Sequence, residues 1–394
     1  MFAHLSTPTL DPILSLSVAY RNDKRPNKVD LGIGVYRNSQ GETPIMQAVQ
    51  MAQDIVVESQ KSKAYVGLAG CEEFNQSMVD LLLSDTSAIG RVAAIQTPGA
   101  SGALRMLGDL MHVAQPGTTV WISNPSYINH QPVMEAAGLK VKQYHYFCPV
   151  TKQVDTARML EELAQAGPKD VVLLHGCCHN PTGADIDFST WQVITELAQK
   201  NGFTPFVDIA YQGFGDGLEQ DAQGLRFMAD NVEEMLIATS CSKNFGLYRE
   251  RTGAAIVIGK NAHHVSNAKG KLLQLARATY TMPPDHGAAL VKTILQSDNL
   301  TSVWKQELDQ MQQRLIGLRH KLCEELRHEH QTDAFDFIEQ HKGMFTVLGF
   351  NQTQMAQLRE DFGIYAVGDG RINIAGLSES DISYVASAIM KVAK

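Results

Sequence analysis

The segment SCSKNFGLYRERTG, residues 240–253, sets one lysine, Lys243, just past an apolar run and between the hydroxyls of Ser240 and Ser242. Arg249 and Arg251 follow within eight positions. Clustered cations lower the pKa of a nearby amine and make it a better nucleophile. Ser240 and Arg251 can together hold an anion such as a phosphate. A lysine at a strand end is more often a solvated surface group, and it is the surrounding hydroxyls and arginines that favour the reactive reading. A nucleophilic lysine beside an anion site is the pairing that pyridoxal phosphate chemistry requires.

Three further stretches could serve the same chemistry. In FVDIAYQGFGDG, residues 206–217, Asp208 ends an apolar strand, where the crevice of an open α/β sheet lies. A buried carboxylate needs a cationic partner, and a protonated pyridine nitrogen would be one. Tyr211, three residues on, could donate to the ring's phenolic oxygen. Taken alone, Asp208 reads equally well as a helix N-cap, and GFGDG as a plain turn. In HGCCHNPTG, residues 175–183, Asn180 can present its amide at the same crevice. His175, Cys177, Cys178 and His179 invite a zinc reading. Against it, structural zinc ligands come as spaced pairs from turns, whereas these lie on or just after one strand, where adjacent cysteines should face opposite sides. Two buried thiols and two hydrogen-bonded histidines are the simpler account. In QTPGASGALR, residues 96–105, Gly99, Ala100, Ser101 and Gly102 follow a strand and open a helix, so backbone N–H groups can approach an anion. That stretch lacks the lysine of a P-loop and the spacing of a dinucleotide fingerprint.

The elements that must position these residues can be read from periodicity. Apolar runs at 91–97, 119–123, 170–177, 203–210, 234–240 and 253–259 read as buried strands. Helical patterns lie at 44–60, opened by Pro44, at 72–84, at 102–114 and at 188–202, closed by Gly202. Strands alternating with helices predict a mostly parallel sheet covered on both faces. The first thirty residues, interrupted by Pro8, Pro12 and Pro26, read as an arm. After residue 260 the pattern is mainly helical, with a long amphipathic stretch at 299–330, strand-like segments near Met344–Leu348 and Arg371–Ile374, and a last helix near 381–392. The expected organisation is a large α/β domain over 45–300 and a small α+β domain from 1–44 with 301–394.

The chain has 394 residues, enough for two or three domains and a core that needs no staples. With 44% hydrophobic and 19% charged residues it is neither a disordered chain nor a coiled coil. Lys+Arg is 34 against Asp+Glu 42, a net charge of −8 without a long basic run, which argues against a nucleic-acid or anionic-membrane partner. No apolar stretch is long enough to span a bilayer, and MFAHLSTPTLDPIL lacks the layout of a signal peptide. A cytoplasmic location and reduced cysteines are therefore expected.

In this order the four stretches resemble the class I aminotransferases of fold type I, specifically the aspartate and aromatic amino acid aminotransferases. The likeness runs from DPIL (11–14) and LGIGVYR (31–37), through HGCCHNPTG, DIAYQGFGDGLEQDA, SCSKNFGLYRERTG and PPDHGA (283–288), to GRINIAG (370–376). The resemblance implies a fold type I architecture: a large domain with a mostly parallel seven-stranded sheet covered by helices, plus a smaller α+β domain. It also implies pyridoxal 5′-phosphate as cofactor. Lys243 would carry it covalently and shuttle the proton between Cα and C4′, Asp208 would pair with the pyridine nitrogen, and Asn180 and Tyr211 would contact the phenolic oxygen. Ser240, Arg251, Ser101 and the backbone near Ala100 would hold the phosphate. Tyr65 would reach the phosphate of a neighbouring subunit in a homodimer with shared active sites. Arg371 would clamp the substrate α-carboxylate beside Gly34, and Arg277 would bind a distal carboxylate across the dimer interface. His130 would support Asp208 from behind.

Tyr127 in SNPSYINH stands where close relatives usually carry a tryptophan stacked on the cofactor ring, and Met282 replaces a polar residue commonly found near the distal pocket. The implied reaction moves the amino group of aspartate or an aromatic amino acid to 2-oxoglutarate. A pyridoxal phosphate lyase or decarboxylase would use the same lysine and aspartate, but would not need both Arg277 and Arg371.

Overall fold

The computed structural model describes residues 2–4, 6 and 12–393. Pro8 of the expected arm and Asp11 of DPIL lie outside the described residues. Two compact units are present, one of Pro44–Arg314 with His341–Gly343, the other of Met1–Thr43, Leu315–Gln340 and Met344–Lys394. The division runs through the long helix Asp298–His330, not at its start near residue 300.

The larger unit is built on one seven-stranded sheet. In chain order its strands are β1 (Val92–Pro98), β2 (Thr119–Asn124), β3 (Lys140–His145), β4 (Asp170–His175), β5 (Thr204–Ile209), β6 (Met235–Ser240) and β7 (Thr252–Ile258). They lie side by side as β1-β7-β6-β5-β4-β2-β3. All neighbours are parallel except β7, which is antiparallel to both β1 and β6. The central strands are apolar on both faces because helices cover both; every residue of β7 is buried. The sequence reading missed β3, whose residues KVKQYH form a largely solvent-facing edge strand. Lysines on an edge discourage further strand pairing, and they also erase the apolar signature by which strands are recognised.

Helices α1 (Gln47–Ser59), α2 (Gly99–Ala114), α3 (Phe188–Asn201) and α4 (Ala262–Thr279) belong to this unit. Helix α1 begins after Met46 and not at Pro44, because the Glu307 carboxylate accepts from the backbone N–H groups of Gln47 and Ala48 at 2.6 and 2.9 Å. At the start of α3 the Asp187 side chain accepts from Thr190 N, and at its end Gly202 turns left-handed at φ 78°, as the sequence suggested. Ile95, Leu104, Leu107, Val120, Val171, Phe206, Ala238 and Leu272 form one continuous core between sheet and helices.

The smaller unit is α+β. Val29–Asp30 pairs in parallel with Ile364–Tyr365, and Phe345–Val347 pairs antiparallel with Arg371–Asn373. Its core is made by Leu318, Leu322, Leu326, Ile338, Ile374, Val385 and Ile389. The expected arm contains a helix, Pro12–Asn22; proline at the first helical position starts a helix where the sequence reading took it as a break. Among the described residues no disulfide joins any of the six cysteines, and no helix is long and apolar enough to cross a membrane.

Candidate active site

The residues singled out in the four stretches, with Tyr127, converge on the carboxyl end of the larger unit's parallel strands. Asp208 is the penultimate residue of β5 and Ser240 the last of β6. Asn180, Tyr211 and Lys243 follow the ends of β4, β5 and β6, and Tyr127 follows β2. Strand β7 runs the other way, so its beginning, preceded by Arg251, lies at the same end: Thr252 is opposite Pro98 and Gly253 opposite Ser240. Carboxyl ends of parallel strands are where open α/β sheets leave a crevice. The Lys243 ammonium sits over the Tyr211 ring, 4.6 Å from its centroid, and is close enough to act electrostatically on Asp208 and Tyr127.

Asp208 is 9% exposed. Its Oδ2 accepts from His130 Nε2 at 2.8 Å, while its buried Oδ1 has no hydrogen-bond partner. Burial opposes charge on this carboxyl, but the His130 hydrogen bond and the nearby Lys243 charge help outweigh it, and Asp208 is held below the usual carboxylate range. The result is an anion at neutral pH with one oxygen still to be satisfied. A buried acceptor of that kind fits a cationic N–H donor such as a protonated pyridine nitrogen.

Behind Asp208 runs a directional chain of hydrogen bonds. The backbone N–H of Asn180 donates to His175 Nδ1 at 3.4 Å, so the proton of the neutral His175 ring is on Nε2, facing Ser126 Oγ at 3.3 Å. The Ser126 hydroxyl then donates to His130 Nδ1 at 2.8 Å, which leaves the Nε2 proton of His130 for Asp208. His175 is also directly opposite Asp208 in the β4–β5 pairing. The sequence reading had His130 as a support and His175 only as a hydrogen-bonded histidine. Ser126 was missed, since a serine in a loop carries no signal until folding brings two histidines to it.

An anion cradle lies beside this group. Gly99 opens α2 at φ 68°, and a Cβ there would come within 2.6 Å of Arg251 Nη2. Gly253 lets the Gly99–Ala100 backbone approach; a Cβ on it would be 2.7 Å from Gly99 C and 2.9 Å from Ala100 N. Arg251 adopts φ 52°, a region that side-chained residues rarely occupy, and its Nη1 donates to Ser242 Oγ at 3.4 Å. Ser240 Oγ accepts from Ser242 N at 3.1 Å. The first turn of a helix, a guanidinium and hydroxyls, brought close together where two glycines permit it, suit a phosphate dianion. Ser101, in that first turn, lies near enough to the Tyr127 hydroxyl to favour its ionised form, and the Tyr127 ring packs edge-on against His130 with centroids 5.3 Å apart. Together with Asp208 Oδ1, the cradle fits a phosphorylated pyridine.

Other expected residues stand apart. Tyr65 is 88% exposed, and Arg277, in the last turn of α4, is exposed as well. Their segments touch, since Val66 N donates to Met282 Sδ at 3.2 Å. Gly34 and Arg371 belong to the smaller unit, where both adjoin the Phe345 ring.

The structure corrects the expected disposition of the cysteines. Strand β4 ends at His175, so strand alternation does not govern Cys177 and Cys178; Cys178 turns at φ 52°, and both sulfurs lie within 4.8 Å of each other and of an Asp221 carboxylate oxygen. That carboxylate already accepts from the backbone N–H groups of Gly213, Gly215 and Asp216, which explains the GFGDG turn. A hydrogen bond with Cys178, followed by burial, pushes the Cys177 thiol well up, away from the thiolate that metals bind. His179 is held by Ser123 and Thr182 and stacks on Tyr146 at 4.0 Å.

Burial brings the His175 pKa down to about 3 from an ordinary 6.5. The unfolded chain therefore takes up a proton between those values that the folded chain refuses. This contribution to stability is complete above pH 6.5 and is lost progressively as pH falls toward 3. His175→Gln is expected to flatten the acid side of the thermal-midpoint profile, by up to about 1.4 kcal/mol per pH unit within that window. Wild-type and variant curves that stay parallel from pH 7 to 4.5 would show that His175 is not the group responsible.

Comparison with known proteins covers the whole molecule. The profile of aminotransferase class I and II matches residues 26–389. An aromatic-amino-acid aminotransferase of Paracoccus denitrificans is 44% identical over 392 residues, with all of both chains covered. An aspartate aminotransferase of Salmonella typhi is 42% identical over 395 residues, again over the full length of both. The crystal structure of an aromatic-amino-acid aminotransferase from Burkholderia pseudomallei, covalently bound to pyridoxal phosphate, superimposes with a TM-score of 0.97 at 38% identity and full coverage of both chains.

Proposed function

The chain belongs to the aminotransferase class I and II family, and from that premise we propose that it moves the amino group of aspartate and of aromatic amino acids to 2-oxoglutarate, with pyridoxal 5′-phosphate as carrier. The observation that carries this reading is Asp208: a buried, ionised carboxylate with one oxygen unpartnered, at the strand ends that also present Lys243. When bound, the cofactor supplies an electron sink for the carbanion chemistry of an amino acid. Lys243 would hold it covalently, and once released, its amine takes the Cα proton and returns it one position away. Asp208, oriented by His130, keeps the proton on the pyridine nitrogen. Asn180 and Tyr211 would donate to the phenolic oxygen and Tyr127 would cover the ring. Ser240, Arg251, Ser101 and the Ala100 backbone would hold the phosphate. Arg371, with Gly34 beside it, would take the substrate α-carboxylate. A lyase or decarboxylase is not favoured, because neither needs a cation for each of two carboxylates.

The working form is a homodimer with shared sites. Ile55, Val57, Tyr65 and Val66 are 47%, 70%, 88% and 51% exposed, an unusual density of exposed apolar side chains for one short stretch. In such a dimer Tyr65 and Arg277 of one subunit would reach the site of the other. Free amino acids as substrates, and cysteines without disulfides, suit the cytoplasm.

Arg277 offers a bidentate partner to a distal carboxylate, while Met282 beside it can repack around an aromatic ring. Arg277→Ala is therefore expected to lower kcat/KM for aspartate about a hundredfold or more. Phenylalanine and tyrosine should fall much less. A panel of amino donors against 2-oxoglutarate checks this; an equal loss for both classes would remove Arg277 from the distal pocket, and a wild type inert toward aromatic donors would leave only the aspartate reading.

A further inference from the structure

We infer that Phe345 is a positioning residue for substrate recognition: its ring face orients the Arg371 guanidinium for a carboxylate. This inference rests on the reading of Arg371 as the α-carboxylate group.

The smaller unit builds a seat for that ring from several directions. Phe345 and Arg371 are 2% and 5% exposed. Phe345 is paired with Asn373 across the two short strands, so Arg371, two residues before Asn373, is its diagonal neighbour on the same face. The guanidinium carbon lies over the ring, 4.6 Å from its centroid. Stacking of this kind engages the flat face of the cation and so fixes the plane in which its N–H bonds lie. The strand itself is anchored by Arg319, 2% exposed, whose Nη2 donates to the Phe345 carbonyl at 2.7 Å and whose Nη1 donates to Ile338 O at 2.9 Å.

Gly34 closes the far side. The Asn373 side-chain amide donates to the carbonyls of Ile33 and Val35, at 2.6 and 2.9 Å, and so fixes the backbone on both sides of Gly34. A Cβ on Gly34 would stand 2.9 Å from Phe345 Cζ. The ring is thus held between a clamped backbone at its tip and a cation on its face. Any group added at the tip must push the ring, and with it the guanidinium.

Two substitutions test this from opposite sides. Phe345→Leu keeps apolar bulk but removes the π-face. Gly34→Ala keeps the ring but displaces it. In the holoenzyme, each is expected to raise KM for amino donors and the dissociation constant of 3-phenylpropionate, a carboxylate without an amino group, by about tenfold. The loss should be concentrated in KM with a smaller change in kcat, and the affinity for pyridoxal phosphate should be retained. Leucine has no atom at the ring tip, so the double variant should be less than the product of the two single effects. Arg371→Ala, measured alongside, separates the two levels. If it weakens 3-phenylpropionate but neither Phe345→Leu nor Gly34→Ala does, the positioning role is wrong and the reading of Arg371 stands. If Arg371→Ala binds the probe as the wild type does, both are overturned. Should Phe345→Leu not fold, Gly34→Ala alone decides by the same KM and binding measurements.

Discussion

Lys243→Ala is expected to reduce turnover by about 10⁴-fold or more, equivalent to roughly 5.5 kcal/mol in the barrier, while the protein stays folded and still takes up pyridoxal phosphate. The size of the effect follows from the two duties proposed for this one amine, covalent attachment and proton transfer at Cα. Among the described residues no other lysine sits over the Tyr211 ring; Lys243 lies 4.6 Å from its centroid and acts directly on the Asp208 charge. Retention of cofactor follows from the cradle, since Arg251, Ser240 and the first turn of α2 do not depend on the lysine for their geometry. Single-turnover assays with aspartate and with phenylalanine, together with the absorbance of the loaded protein, check both halves. Transamination within tenfold of wild type would sink the assignment. A variant that no longer binds the cofactor would show instead that the phosphate cradle is not where holding strength resides.

Asp208→Asn should keep the cofactor and lose roughly 10²–10³-fold in kcat. The variant is nearly isosteric and can still accept from His130, so packing should survive; Asp208 sits among buried neighbours that tolerate little change in volume. What it cannot do is place a full negative charge on the oxygen that has no partner within the protein. On the proposed role, the proton on the pyridine nitrogen would then lose its stabilising anion, and the ring would be a weaker electron sink. Measuring kcat with a saturating donor, beside the pyridoxal phosphate dissociation constant, separates the charge from mere binding. Near wild-type turnover would make Asp208 a structural acid that only caps the His130 chain.

Local chemistry was legible where residue type and order alone carry it. An apolar run ending in Asp208, a lysine among serines and arginines, and the glycines before α2 all announce a strand end or a helix start, because burial on both faces and glycine backbone freedom leave marks in the sequence itself. Those marks placed the fold class and pointed to the pieces of the candidate site. They did not extend to β3, whose lysines face water, or to the start of α1, which a distant Glu307 decides. The tertiary structure alone determined three things. Ser126 became the link between His130 and His175 because two strands and a loop end at one point. Cys177 and Cys178 came to share one side because β4 stops at His175. Phe345 met both Gly34 and Arg371 because short strands hundreds of residues from the N-terminal loop fold back on it. In each case the contact joins groups far apart in the chain, and pairing at long sequence separation is set by packing and strand register, which local propensity does not encode.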